Sequence, residues 1–223
     1  MGEVRTILLH ENVLDDIKKE GDKLRADLKR QNIYLVNVMS SPGSGKTTTL
    51  ISLIERMKKD YTIGVMEADI DSDVDAVRVA ERTGVKSIQL HTGGMCHLDA
   101  DMTRQGLVGL DSNDANLIFL ENVGNLVCPA EFDTGACLNV CILSVPEGSD
   151  KPLKYPLMFE VCDLVLINKI DTLEYFDFNF RKVEEFIHRR NPDAIILPIS
   201  AKTGEGMDKA VDYFNQKIKE WRK

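Results

Sequence analysis

A glycine-rich segment followed by a lysine and two threonines is the most specific chemical signal in the sequence. Its members are Pro42, Gly43, Ser44, Gly45, Lys46, Thr47 and Thr48. Glycines let the backbone curl so that its N–H groups point at phosphate oxygens, and the start of a helix adds a favourable dipole. In such a P-loop the lysine reaches the β- and γ-phosphates, Thr47 binds Mg²⁺ through its hydroxyl, and Thr48 contacts the α-phosphate. Ser40 replaces the usual first glycine, so the motif does not define the backbone at that corner.

A second polar motif, Asn168-Lys169-Ile170-Asp171, ends a later apolar run. The Asp171 carboxylate can accept hydrogen bonds from N1–H and the exocyclic amine of guanine, whereas adenine offers no such donor pair. Lys169 is expected to cover the base with its aliphatic stem, and Asn168 to brace the loop. The residues after the next apolar run are Ser200, Ala201 and Lys202, a triplet that resembles the element contacting guanine O6. The two motifs together predict a site that prefers GTP and GDP to adenine nucleotides.

Acidic residues at the ends of two other apolar runs are candidates for magnesium binding. Glu121 stands where a carboxylate follows a Walker B strand, and the Gly124 amide after it can sense the γ-phosphate. Asp69 is predicted to align Mg²⁺ or the attacking water, with Asp75 as the second choice and capping of the next helix as an equally open role.

Catalysis is therefore assigned to Lys46, Asp69 and Glu121, and magnesium to Thr47, Asp69 and Glu121. No catalytic glutamine or arginine finger can be assigned in the sequence. We therefore expect slow intrinsic turnover until a partner or a second subunit completes the site.

Thiol and imidazole groups form a separate candidate site at Cys96, His97 and Cys128. These groups suit Zn²⁺ and Ni²⁺, but one chain offers only three of the four ligands that a closed tetrahedral site needs. A two-fold homodimer would offer six. A chance Cys-His pair without a ligand remains the alternative. The other cysteines, Cys137, Cys141 and Cys162, are interpreted as packing residues.

The hydrophobic pattern predicts the elements that would position these residues. Strands are predicted at 33–39, 63–67, 87–90, 117–120, 139–145, 163–168 and 195–199. Helices are predicted at 48–59, 74–82, 100–110, 179–190 and 206–223, after an amphipathic N-terminal helix at about 11–30 that Gly21 weakens. Continuous apolar strands alternating with helices indicate an α/β, three-layer P-loop NTPase fold, whose doubly wound, mainly parallel sheet is flanked by helices.

Length and composition agree with one α/β domain over residues 1–223. The chain has a formal net charge of −8 and 43% hydrophobic residues, without a long apolar run. Its acidity disfavours nucleic acids and anionic membranes as partners. The start lacks the apolar stretch of a signal peptide, and an odd count of five cysteines favours thiols over disulfides, so we expect a cytoplasmic protein.

Taken together, the motifs resemble the hydrogenase nickel-incorporation GTPases of the HypB family, in the SIMIBI class. The most specific segments are SSPGSGKTT, GGMCHLDA, ENVGNLVCPAEFD, PEGSDKPLKYP and NKIDT. The resemblance implies GTP hydrolysis that drives nickel delivery to the hydrogenase large subunit with other accessory proteins. It also implies a nucleotide-responsive homodimer and metal binding at Cys96, His97 and Cys128. Because only His10 and no cysteine precede residue 91, we expect no N-terminal nickel store.

Three other functions remain open at this stage. A urease nickel-insertion GTPase is disfavoured, because that family typically carries a Cys-Pro-His triplet. A non-catalytic metal-storage module and a P-loop kinase are disfavoured by the intact nucleotide motifs. Separately, the segment Pro146–Pro156 is predicted to be a loop, in which Lys151 and Lys154 touch the nucleotide or a dimer partner, or are simply solvated.

Overall fold

The computed structural model of the protein describes residues 9–69, 74–111 and 114–223, with side-chain surroundings described from residue 18 onward. Residues 70–73, in the middle of the acidic run after the second strand, lie outside the described residues, as does His10 with respect to its side chain. No helix within the described ranges is long and apolar enough to cross a membrane.

One sheet of seven strands forms the centre of the structure, and every strand pair in it is parallel. The strands are β1 (Tyr34–Ser40), β2 (Ile63–Asp69), β3 (Lys86–His91), β4 (Leu117–Glu121), β5 (Leu138–Ser144), β6 (Leu164–Asn168) and β7 (Ile195–Pro198). Their order across the sheet is β3-β2-β4-β1-β5-β6-β7. The chain therefore winds in both directions from β1, as a doubly wound sheet does.

Helices precede β1, follow β7 and connect most of the strands in sequence. They are α1 (Leu9–Gln31), α2 (Lys46–Met57), α3 (Val74–Thr83), α4 (Ala100–Leu110), α5 (Cys128–Glu131), α6 (Lys151–Lys154), α7 (Pro156–Glu160), α8 (Phe180–His188) and α9 (Met207–Arg222). Two short 3₁₀ helices occupy Val145–Glu147 and Ile170–Tyr175. All the predicted strands and long helices are observed, and their ends differ from the prediction by two residues or fewer.

Helices cover both faces of the sheet because alternate residues of each strand point to opposite sides. In β1, Val36 and Val38 pack in one core cluster with residues of α2 and α9. Leu35, on the other face, packs in a cluster with residues of α1 and α4. Farther along the same face, Met39 packs in a third cluster with residues of α7 and α8. This arrangement confirms the three-layer P-loop NTPase fold.

The N-terminal helix contacts the segment that follows α5. Leu24 and Leu28 of α1 are buried, and Arg25 donates to both carboxylate oxygens of Asp133 at 2.8 and 2.6 Å. Gly21 was expected only to weaken the helix, but the structure gives it a packing role. A Cβ atom at Gly21 would lie 2.3 Å from Asp133 Oδ2, so only glycine permits this approach.

The segment Pro146–Pro156, predicted as a loop, contains part of a 3₁₀ helix and the short helix α6. Pro152 lies in the first turn of α6, where its missing N–H costs no hydrogen bond. Lys154 pairs with Asp150 at 2.6 Å, and Lys151 Nζ lies 5.4 Å from the centroid of the Tyr155 ring. The prediction of irregular structure was therefore wrong, because helices of one turn show no hydrophobic period.

Candidate nucleotide and metal site

A cavity of about 600 Å³ opens at the carboxyl ends of β1, β2 and β4. This edge of a doubly wound sheet is where ligands bind in such folds. Its lining comprises Pro42, Gly43, Gly45, Lys46, Thr47, Thr48, Glu67, Ala68, Asp69, Asp75, Arg78, Glu121, Asn122, Val123, Gly124 and Lys169. Most of the residues predicted to contact phosphate and magnesium therefore lie around one space.

The glycine-rich loop connects β1 directly to the first residue of α2, Lys46. Gly45 precedes that helix with φ +99°, a conformation that side chains other than glycine rarely adopt. A Cβ atom at Gly45 would also lie 2.6 Å from Asn168 Nδ2. Glycine is therefore required here both by the backbone conformation and by the neighbour.

Ser40, which replaces the usual first glycine of the motif, is completely buried at the end of β1. Its hydroxyl donates to the Ser41 carbonyl at 2.8 Å and accepts from Ser44 Oγ at 2.6 Å. Lys46 Nζ donates to the same hydroxyl at 3.2 Å. The substitution thus adds a hydrogen-bonded link between the two ends of the loop.

The buried side chain of Asn168 links the base-side motif, Asn168–Asp171, to the glycine-rich phosphate loop. Asn168 Nδ2 donates to the Ser44 carbonyl at 2.9 Å, and its Oδ1 accepts from the Ala201 N–H at 3.1 Å. Lys169 has a left-handed backbone, with φ +64°, and its Nζ donates to the Gly43 carbonyl at 2.6 Å.

Asp171 and Ser200 are joined directly, because the Ser200 hydroxyl donates to Asp171 Oδ1 at 2.7 Å. This bond fixes the orientation of the carboxylate that is predicted to read guanine. Lys202 is exposed beyond these residues. The structure brings the phosphate loop and both base-side segments together, while their binding roles stay predictions.

Two carboxyl groups lie deep in the cavity, next to the start of α2. Thr47 Oγ1 donates to Glu121 Oε1 at 3.1 Å, and Glu67 hydrogen-bonds to Glu121. Burial, and then the neighbouring Glu121, raises the pKa of Glu67 to about 11. Burial also raises the pKa of Glu121, against the opposing charge of Lys46.

Asp69 and Gly124 occupy different parts of the same cavity. Asp69 is exposed at the end of β2, two residues beyond the buried Glu67. Gly124 adjoins the phosphate loop so closely that a Cβ atom there would lie 3.2 Å from Pro42 Cγ. Asp75, the second choice in the acidic run, is exposed in the first turn of α3 and also lines the cavity.

The predicted metal ligands converge only in part. The thiols of Cys96 and Cys128 share a hydrogen bond, and this contact raises the pKa of Cys128. His97, by contrast, stacks on Phe132 with ring centroids 3.5 Å apart, and its buried Nδ1 has no hydrogen-bond partner. Among the described residues, no three His, Cys, Asp or Glu side chains form a group that could hold one metal ion. The predicted trio is therefore present as an adjacent thiol pair with a displaced imidazole.

Sequence reasoning missed two residues that the structure brings to these sites. Glu67 was given no role, although an acid inside an apolar strand is costly to bury and is a signal in itself. Asn125 was not singled out at all, yet its Nδ2 donates to Cys128 Sγ at 3.4 Å while its Oδ1 accepts from the Val127 N–H at 2.7 Å. No sequence pattern predicts the contact between Asn125 and Cys128.

The sequence of this chain is similar to a family of nucleotide-binding proteins. The nucleotide-binding domain of the CobW/HypB/UreG family matches residues 34–198. The hydrogenase maturation factor HypB of Azotobacter chroococcum mcd 1 is 42% identical over 207 residues, which cover 93% of this chain and 68% of that protein. The hydrogenase/urease maturation factor HypB of Helicobacter hepaticus is 41% identical over 217 residues, covering 96% of this chain and 88% of that protein.

A solved structure extends the likeness to three dimensions. HypB from Helicobacter pylori, crystallised in complex with nickel, superposes with a TM-score of 0.86 at 36% sequence identity, covering 92% of this chain and 96% of that one. The family match spans most of the chain, and the relatives are similar over nearly all of it in both sequence and structure. This chain therefore belongs to the HypB family of hydrogenase maturation factors.

Proposed function

We propose that the protein is a Mg²⁺-dependent GTPase that couples GTP hydrolysis to nickel delivery into the large subunit of a [NiFe] hydrogenase. The observation that supports this most directly is the segment after β4. This segment begins after Glu121, the last residue of β4, which lies beside Thr47 at the phosphate cavity, and it leads to Cys128, which lies beside Cys96 at the thiol pair. One short segment therefore joins a phosphate-sensing site to a site with metal-binding chemistry.

In the proposed reaction, Lys46 contacts the β- and γ-phosphates, and Asp69 orients the attacking water. Thr47 and Glu121 fit a magnesium site, because a hydroxyl and a buried carboxylate are the hard oxygen donors that this ion prefers. Magnesium, when bound, neutralises charge on the phosphates. The Gly124 amide senses the γ-phosphate, so the segment after β4 responds to the nucleotide state.

Nickel is the cargo in this proposal, and Zn²⁺ is an alternative occupant of the same site. The adjacent thiols of Cys96 and Cys128 supply soft donors that suit both ions. Two thiols do not complete a four-coordinate site, whereas two copies in a homodimer supply four. His97 would add an imidazole from each copy after leaving its contact with Phe132. Other nickel-insertion proteins would exchange the ion with this site.

Guanine selection supplies the first test, through the substitution Asp171→Asn. Asparagine removes the charged acceptor, so we expect the affinity for GDP to fall about 10- to 150-fold, as for loss of hydrogen bonds to a charged group. Asp177→Asn, at an exposed position after the same 3₁₀ helix, is the matched control and should bind normally. Titration calorimetry with GDP and ADP measures the effect; equal affinities of the unaltered protein for both would refute the proposal.

The activity itself is tested by phosphate release from GTP, followed by transfer of ⁶³Ni from the loaded protein to an apo-hydrogenase large subunit. GTP-dependent release and transfer are expected. Nickel binding without any phosphate release would instead identify a metal-storage protein. The Helicobacter hepaticus relative is named for urease as well as hydrogenase, so apo-urease is the second acceptor in the transfer experiment. Transfer to urease alone would replace the hydrogenase assignment.

A further inference from the structure

A pair of glutamates on neighbouring strands is the feature that the proposed function does not yet explain. The parallel register of β2 and β4 pairs Glu67 directly with Glu121. Both residues line the cavity at the carboxyl end of the sheet. Their exposed fractions are only 3% and 4%. The fold thus buries two acids side by side next to Thr47 and Lys46.

Hydrogen bonding within the protein satisfies this pair only in part. Glu67 Oε1 and Glu121 Oε2 are buried and have no hydrogen-bond partner in the described part of the chain. Buried polar atoms are almost always paired, and an unpaired one costs about 1–3 kcal/mol. The neighbours of Glu67 along β2 are the buried apolar residues Met66 and Ala68. A purely structural role would be filled at lower cost by another apolar residue.

A cation is the ligand that fits these two oxygens. They belong to acids that are more than nine-tenths buried, they border the space predicted for the phosphates, and a threonine hydroxyl lies 3.1 Å from one of the acids. Magnesium is commonly held by one or two carboxylates together with water and substrate phosphates. Lys46 places its positive charge near the two acids, but it donates to the Ser40 hydroxyl and leaves Glu67 Oε1 and Glu121 Oε2 without a partner.

We propose that Glu67 is the second buried carboxylate of the magnesium site, beside Glu121 and Thr47. This inference rests on the proposed GTPase function and adds a residue to it. When Mg²⁺ binds, Glu67 releases its proton to solvent and supplies a carboxylate oxygen on the β2 side of the site, while Glu121 supplies one on the β4 side. In the proposed reaction the exposed Asp69, two residues farther along β2, keeps the role of orienting the attacking water.

The substitution Glu67→Gln separates a charge role from a structural one. Glutamine keeps the size of the side chain and can still donate a hydrogen bond to Glu121, but it cannot ionise to give the carboxylate that a cation binds. The dissociation rate of a fluorescent GDP analogue is measured at increasing Mg²⁺ concentrations, starting from excess EDTA. We expect the Mg²⁺ concentration for half-maximal slowing to rise about 10- to 100-fold, the usual effect of losing a supporting group at a metal site.

Glu184→Gln is the matched control, because Glu184 is exposed on α8. It should leave the Mg²⁺ midpoint unchanged. An unchanged midpoint in Glu67→Gln would overturn the inference and leave Glu67 as a hydrogen-bonding core residue. If that variant does not fold, the same titration is made with Glu67→Ala, and an unchanged midpoint there overturns it equally.

The outcomes also distinguish this inference from the proposed function. If the unaltered protein binds no GDP even at saturating Mg²⁺, the proposed GTPase function is refuted and this inference with it. If GDP binds and Mg²⁺ slows its release, but Glu67→Gln behaves like the control, only the role of Glu67 is refuted.

Discussion

At the scale of single residues, Asn168 organises the candidate nucleotide pocket. Its side-chain amide bonds to the Ser44 carbonyl on one side and to the Ala201 N–H on the other. The same amide nitrogen occupies the space next to Gly45. A single buried side chain thus sets the distance between the loop predicted for phosphate and the loops predicted for guanine. Preorganised loops lose less conformational entropy when a ligand binds.

The substitution Gly45→Ala tests this organisation. The new methyl group would meet Asn168 Nδ2 at 2.6 Å, and the left-handed backbone adds strain of about 1–2 kcal/mol. We expect GDP binding to be lost and the thermal unfolding midpoint to fall by a few degrees, at about 2–4 °C per kcal/mol of strain for a chain of this size. Fluorescence titration with a GDP analogue and differential scanning calorimetry measure the two effects.

Gly43→Ala is the control for that experiment. Gly43 also has a left-handed backbone, with φ +76°, but nothing lies within 4 Å of its added Cβ atom. It therefore carries the backbone strain without the contact, and we expect a smaller loss of affinity. Equal losses in the two variants would show that the contact with Asn168 does not matter.

Residues that belong to a sequence motif were easier to predict than residues whose position depends on a tertiary contact. Lys46, Thr47 and Glu121 were assigned to the phosphate cavity, and the structure brings them there. Glu67 was missed because its position beside Glu121 depends on the register between β2 and β4. That register pairs residues that are far apart in the sequence. The stacking of His97 on Phe132 could not be predicted either, since both residues lie in loops without a periodic pattern.

At the scale of elements, prediction succeeded where hydrophobic runs were long enough. The buried strands β1, β4 and β6 each read as continuous apolar segments, as strands covered on both faces do. The short helices α5 and α7 were missed, because they span only four and five residues. The N-terminal helix was predicted from its period, but its partner Asp133 could not be, because this contact depends on tertiary packing.

The contact between α1 and Asp133 is tested by Arg25→Met, which keeps the aliphatic stem and removes the guanidinium. Hydrogen bonds to Asp133 raise the pKa of Arg25, and the two side chains are 30% and 27% exposed. Because solvent partly screens this pair, we expect a stability loss of only about 1–2 kcal/mol. Urea unfolding measures this loss, and hydrogen exchange locates it in α1.

Arg30→Met provides the comparison on the same helix. Arg30 pairs with Asp27 within α1 and is 74% exposed, so we expect little change, about 0.5 kcal/mol or less. If the two variants were equally stable, the bonds to Asp133 would contribute nothing to holding α1, and burial of Leu24 and Leu28 would suffice.

At the scale of the whole molecule, the sheet order separates three chemical tasks along one edge. The base-side residues follow β6 and β7, the phosphate loop follows β1, and the thiols follow β3 and β4. Since β4 lies next to β1, its following segment contacts both the phosphate loop and the thiol pair. Gly124 adjoins Pro42, and Asn125, the next residue, bonds to Cys128 Sγ. A change at the phosphates therefore has a short covalent and hydrogen-bonded route to the thiols.

This route predicts that nickel affinity depends on the bound nucleotide and that Asn125 transmits part of the dependence. We expect Ni²⁺ affinities with GDP and with a non-hydrolysable GTP analogue to differ at least about fivefold, the lower range of coupling between sites. Asn125→Ala should bring this ratio towards one without weakening GDP binding. Asn215→Ala should preserve the ratio, because it removes only the α9 acceptor of a hydrogen bond from the Tyr61 hydroxyl. Calorimetry gives the affinities, and sedimentation shows whether two copies share the ion.

Equal affinities in the unaltered protein would mean that the segment after β4 does not couple the sites. A ratio unaffected by Asn125→Ala would mean that coupling reaches the thiols by another path, such as the Phe132 contact with His97.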